Sequence, residues 1–144
     1  VSSPSGRVIT GLSMGGHGGL YIGFRHQDVF GACGSMSGGV DIRPFPNNWD
    51  MSKRLGKQSE YPHNWEQNTV INQSHLLTPN SIKIIFDCGS SDFFYDVNVK
   101  LHNELLYRNI GHDFISRPGG HDWAYWSNAI KHQYLFFSNF FTDN

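Results

Sequence analysis

Strand-like and helix-like segments alternate along the whole chain, and this alternation predicts an α/β fold: a mainly parallel sheet with helices on both faces, joined by right-handed crossovers. Two more observations support it. Ile82-Lys83-Ile84-Ile85-Phe86 is an apolar run suited to a strand covered on both sides, as strands in parallel sheets are. Gly11 to Gly19 is a glycine-rich stretch that follows a short β-prone segment, the pattern of a strand turning sharply into a helix.

In chain order, Arg7-Val8-Ile9-Thr10 reads as the first strand. A helix should follow to about His26, although Gly15, Gly16, Gly18, Gly19 and Gly23 each cost about 1 kcal/mol against alanine in a helix interior. Close approach of this helix to neighbouring backbone, which only residues without a Cβ allow, is the simplest compensation. Val29 to Met36 reads as the second strand, closed by Ser37-Gly38-Gly39, where a turn beside a site and an everyday Ser-Gly turn look alike. Residues 40–81 lose the pattern among prolines, asparagines and two tryptophans, and are expected to form an insertion or lid, with weak helices near Met51 to Leu55 and Val70 to Leu77.

Order returns with the strand Ile82 to Phe86 and a helix from about Val97 to Asn109, with Gly111 placed to stop it. Phe114 to Arg117 is a last short strand. Trp123, Trp126, Ile130, Tyr134, Phe137 and Phe141 then mark one expected buried stripe of a terminal helix.

The 144 residues suit one domain, short of the roughly 250 that large α/β domains often use. The chain begins at Val1 and reaches a strand almost at once, so it is expected to be a single domain over 1–144 that lacks N-terminal strands. A net charge of -1 shows no electrostatic footprint for nucleic acid or an anionic membrane, and no apolar run is long enough to cross a bilayer. A neutral or small-molecule partner is therefore expected, and the aromatic residues, 15% of the chain, could fill a core, line a pocket for apolar or carbohydrate rings, or both. A second copy of the chain, or the missing N-terminal part of its own domain, stays open as a protein partner. Cys33 and Cys88 match no metal or redox spacing; they are either a pair or two buried free thiols, and the compartment is left undecided.

Gly11-Leu12-Ser13-Met14-Gly15 satisfies G-x-S-x-G between a strand and a helix, the context that thrusts a serine hydroxyl outwards as a nucleophile. The helix N-terminus favours developing negative charge, so the Met14 N–H is the candidate oxyanion donor. Serine needs a base, and the base needs an acid to hold its tautomer. Of eight histidines, His121 lies in the loop Pro118-Gly119-Gly120-His121 between the last strand and last helix, and Asp92 lies just past the preceding strand. Asp87 and Asp96 compete with Asp92 for the acid role. Asp122 reads as a helix N-cap. His17 reads as a packing or pocket residue and Trp123 as core or pocket lining. Trp49 and Trp65 are read as a substrate platform or as pins for the excursion. Such a triad requires no metal and no organic cofactor.

Three ordered blocks carry a resemblance. Gly11 to Leu20, Asp87-Cys88-Gly89-Ser90-Ser91-Asp92-Phe93-Phe94, and Pro118 to Trp126 resemble the elbow, acid loop and histidine loop of the esterase family of α/β-hydrolases that holds feruloyl, acetylxylan and tributyrin-type esterases, S-formylglutathione hydrolases and mycolyltransferases. The resemblance spans nearly the whole chain and is weakest over 40–81. It implies the C-terminal part of an α/β-hydrolase fold and a serine carboxylesterase with Ser13 as nucleophile, His121 as base and Asp92 as acid. Beside them stand Met14 as the candidate oxyanion donor and His17, Trp49 and Trp123 as the candidate substrate-binding residues. An S-formylglutathione hydrolase-like thioesterase, an acyltransferase and a non-catalytic module are the alternatives.

Overall fold

A computed structural model of the chain describes residues 3–143. Four strands, β1 (Val8–Ile9), β2 (Ala32–Met36), β3 (Lys83–Gly89) and β4 (Asp113–Arg117), form one sheet in sequence order. Every pairing is parallel. The connections carry helices α1 (Met14–Arg25), α2 (Met51–Leu55), α3 (Pro62–Gln67) and α4 (Tyr95–Tyr107), a 3-10 turn at Ile71–Leu76, and a terminal helix α5 (Trp123–Thr142). Because all four strands run the same way, the loops after their C-terminal ends gather on one rim.

Alternation along β3 sorts its side chains between two cores. Ile84, Phe86 and Cys88 join Leu20 and Phe24 of α1 and Val97, Leu101 and Leu105 of α4, whereas Ile85 packs with Ala32, Phe137 and Phe140 on the α5 side. Both cysteines are buried free thiols, and burial pushes each well above the ordinary thiol range.

Helix α1 packs on the sheet through part of its glycine face. A Cβ at Gly19 would stand 2.6 Å from the Gly34 carbonyl oxygen and 3.2 Å from Thr10 Cα, both main chain and unable to yield. Gly16 and Gly23 press on Ser35 and Cys33 in the same way, whereas Gly15 and Gly18 face open space, so close approach explains three of the five helix glycines.

Segment 40–81 is packed onto the body of the domain. Val40, Ile42, Trp65, Val70, Ile71 and Leu77 are all buried, which makes much of the excursion a wall of the core. Trp65 is one of its pins, with its indole N–H donating to the Gly56 carbonyl at 2.9 Å. Asp41 is a second: it accepts from Arg43 at 2.8 Å and from Lys100 at 3.3 Å, and Arg43 reaches on to Glu66 at 3.0 Å. Helix α3 is an element the sequence pattern did not show, started by Pro62 in its first turn.

The stripe expected on α5 is also rotated. Trp123 and Tyr134 are each 70% exposed and Phe141 is 46% exposed, while the buried face runs through Tyr125, Trp126, Ala129, Gln133, Phe137 and Phe140. A buried glutamine in the middle of that face broke the apolar pattern.

Gly18→Ala and Gly19→Ala should therefore move stability in opposite directions. The first should stabilise by about 0.5–1 kcal/mol by improving helix propensity, and the second should destabilise by about 1–3 kcal/mol by forcing α1 off the sheet. Denaturant midpoints of the two variants decide it.

Candidate active site

Ser13 sits between the end of β1 and the start of α1, held by main-chain bonds to the next strand. Its N–H donates to Met36 O at 2.8 Å, and Met36 N–H donates to Gly11 O at 2.9 Å. The turn tolerates nothing larger at residue 11, where a Cβ would lie 2.4 Å from Gly15 O. Ser13 itself has φ 57 and ψ -119, a conformation that costs a non-glycine residue about 1–3 kcal/mol. The strain lifts the hydroxyl out of the turn and over the rim.

There the Ser13 hydroxyl donates to His121 Nε2 at 2.9 Å, and the His121 Nδ1–H donates to Asp92 Oδ2 at 2.7 Å. A carboxylate only accepts, so Asp92 fixes the proton on Nδ1 and leaves the Nε2 lone pair for serine. Asp92 Oδ1 accepts in turn from the Phe94 N–H at 2.8 Å, and its side chain is fully buried. The imidazole is packed by Phe93, Phe94 and Trp126, with ring centroids 4.5, 5.7 and 5.0 Å away.

The competing acids lie elsewhere. Asp87 faces α5 and accepts from Tyr125 Oη at 2.7 Å and Gln133 Nε2 at 3.2 Å. Asp96 is exposed in the first turn of α4. Asp122 caps α5, accepting from the Tyr125 N–H at 2.9 Å. Met14 opens α1, so its N–H is one of the donors that a helix start leaves without an intrahelical partner.

His17 is occupied by packing. Nε2 is 2.7 Å from the Asn68 carbonyl, and the ring stacks on Tyr21 at 5.5 Å, tying the excursion to α1. Burial lowers its pKa against the opposing pull of that carbonyl. Trp49, 44% exposed, packs on Phe93 at 5.8 Å and Phe94 at 5.2 Å, so it joins the aromatic wall next to His121. Phe45 completes that wall. Trp123 leans edge-on against Trp126 at 5.1 Å and borders a cavity of about 330 Å³ with Leu12, Met36, Trp126, Ser127 and Ile130. A larger cavity of about 530 Å³ opens at Lys83 and Asp113, the first residues of β3 and β4, at the opposite end of the strands from Ser13.

Sequence reasoning missed Phe45, Phe93 and Phe94 as site walls; for Ser37 it left a site turn and an ordinary turn open, and the Ser37 Oγ accepts from Trp126 Nε1 at 3.1 Å. Ser37 is buried and has φ 52, a main-chain kink that no residue pattern advertises. Among the described residues no group of three or more His, Cys, Asp or Glu is placed to hold a metal ion, and no helix is long and apolar enough to cross a membrane.

The chain is similar to known proteins over most of its length. The family profile described as "Putative esterase" matches residues 1–137. The chain belongs to that family. An acetyl esterase of Caldicellulosiruptor saccharolyticus is 24% identical over 90% of this chain and 53% of its own length. A ferulic acid esterase structure superposes with a TM-score of 0.80 at 28% identity, over 98% of this chain and 54% of that one. An S-formylglutathione hydrolase of Staphylococcus aureus superposes with a TM-score of 0.80 at 23% identity, over 95% and 56% of the two chains, a likeness of fold. The chain thus spans about half the length of the relatives it matches.

Replacing Ser13 should expose the strain of the elbow. Ser13→Gly is expected to be more stable than Ser13→Ala, by about 1 kcal/mol or more, because only glycine relieves the positive φ. Equal unfolding midpoints would remove the case for strain.

Proposed function

We propose that the chain carries the catalytic machinery of a serine carboxylesterase. The observation that carries this reading is the unbroken hydrogen-bonded relay from Ser13 through His121 to Asp92 on the rim of a parallel sheet. His121 Nε2 takes the hydroxyl proton as Ser13 Oγ attacks the ester carbonyl, and Asp92 stabilises the imidazolium that forms. The Met14 N–H, at the positive end of α1, faces the developing oxyanion. As the tetrahedral intermediate collapses, His121 returns the proton to the leaving alcohol. A water deprotonated by His121 then attacks the acyl-serine, and the acid leaves with Ser13 restored.

Both walls of the site are aromatic or apolar. The exposed faces of Trp49 and Phe93 beside His121 suit a ring, whether a sugar or an aromatic group, and the cavity at Trp123 suits a second apolar moiety. We therefore favour carboxylic esters of ring-bearing alcohols or acids. The relatives named as acetyl and ferulic acid esterases are consistent with this class.

A fluorophosphonate probe should label Ser13 in the wild-type chain and leave Ser13→Ala unmodified. His121→Ala should suppress labelling, and Asp92→Asn should lower kcat for a p-nitrophenyl ester by roughly 10⁴-fold through loss of the required tautomer. An Asp92→Asn variant with full turnover would reject Asp92 as the acid. For the walls, Trp49→Ala should raise KM for feruloyl or sugar esters while leaving short p-nitrophenyl acetate little changed. Equal effects on both substrates would take Trp49 out of recognition.

A further inference from the structure

Behind the sheet, on the face opposite α1 and α4, lies a buried polar network that takes no part in the proposed reaction. Gln133 Nε2 is 3.3 Å from Ser35 O, a carbonyl that can only accept, so the amide nitrogen faces that way. The Gln133 oxygen then accepts from the Thr10 hydroxyl at 2.8 Å, and Nε2 also donates to Asp87 Oδ2 at 3.2 Å. Tyr125 Oη donates to Asp87 Oδ1 at 2.7 Å. Asp87 is 1% exposed and Gln133 likewise, so their bonds to each other, to Ser35 O and to Tyr125 replace water that cannot enter, while Thr10 joins the network from the exposed edge. The network joins Thr10 at the foot of the elbow, Ser35 on β2, Asp87 on β3 and two residues of α5.

Two paths lead from Asp87 to the imidazole. Tyr125 packs directly under the histidine loop: a Cβ at Gly119 would meet its ring at 3.0 Å. Gly119 in turn accepts from the Ser91 N–H at 2.9 Å, one residue before Asp92. The second path starts at the Asp87 carbonyl, which accepts from the Ser37 N–H at 2.9 Å. Ser37 Oγ holds the indole of Trp126, and Trp126 stands edge-on to His121. The second path uses main chain at residue 87 and survives any side-chain change; the first does not.

We infer that Asp87 is a positioning residue: its carboxylate, through Tyr125, sets the 118–121 loop and so aligns His121 between Ser13 and Asp92. This rests on the esterase reading for its kinetic consequence, though not for its structural one. Both oxygens of Asp87 accept in the observed arrangement, which is that of the ionised group. Burial pushes the carboxyl up to about 6, against the lowering effects of Tyr125, Gln133, His132 and Arg117. The facing titratable or charged groups are Tyr125 and His132 on α5 and Arg117 on β4, with Cys88 next to Asp87 on the other face of β3. A proton on Asp87 must turn one acceptor into a donor, and only the Tyr125 hydroxyl can reverse to receive it. The loop contact therefore changes polarity as pH falls through about 6. Between the ordinary 3.8 and about 6 the folded chain holds a proton that the unfolded chain has shed, so stability falls as pH rises across that window.

The test uses the 144-residue chain and the variants Asp87→Asn and Tyr125→Phe. Two readouts are followed against pH: the low-field proton resonance of the His121 Nδ1–H, and the rate of fluorophosphonate labelling at Ser13. In the wild type the resonance should shift with a midpoint near 6, and Asp87→Asn should abolish that step. Labelling should slow by roughly ten- to hundred-fold in both variants, with KM for a p-nitrophenyl ester held and kcat reduced. A resonance and labelling profile in Asp87→Asn identical to wild type at every pH would overturn the inference. Should Asp87→Asn fail to fold, Tyr125→Phe, which removes a single hydroxyl, carries the same test. A wild type that never labels would sink the esterase reading alone, because the resonance reports on His121 without turnover.

Discussion

Main-chain hydrogen bonds run on past the ends of all four strands, and the convergence of the three functional loops depends on them. Leu12 bridges Met36 beyond β1, the Ser37 N–H reaches Asp87 O, and the N–H groups of Ser90 and Ser91 reach Arg117 O and Gly119 O. Each loop is thereby tied to its neighbour in the same order as the strands themselves. Residues 13, 92 and 121 are far apart in sequence, yet each leaves the sheet a bond or two beyond a paired position. Their side chains need bridge only the last few ångströms, and an imidazole is the right length to do so.

Much of this was legible in the residues. The elbow, the two later loops and the strand-helix alternation are local patterns, with boundaries set by glycines, capping residues and apolar runs. The choice of Asp92 over Asp87 was less open to pattern reading, since both follow the same strand within a few residues. It was decided by strand alternation: residue 87 still belongs to the pleat and faces α5, whereas residue 92 lies beyond Gly89, where the chain has turned toward the rim.

Two of the core residues that escaped the sequence share one cause. Gln133 is polar yet sits at the centre of the buried face of α5, so the apolar residues around it suggested a helix face turned toward Trp123 and Tyr134 instead. Asp41 is similar: it is a buried carboxylate satisfied by two cations, in a segment that looked irregular. Periodicity registers only the apolar members of a core. Where polar groups are buried with their partners supplied by distant parts of the chain, the pattern breaks and the element is misread.

The two thiols bear on how the molecule opens. Cys33 lies against Gly23 between α1 and the sheet, and Cys88 stands in the same core at the end of β3 beneath the functional rim. Neither meets solvent and neither ionises readily, so an alkylating reagent in the medium finds no sulfur to attack while the fold is closed. Modification at each thiol is therefore gated by a breathing motion of a different part of the core. The pair forms a built-in clock, one hand timing the parting of the elbow helix and the other the loosening of the strand that leads to the acid.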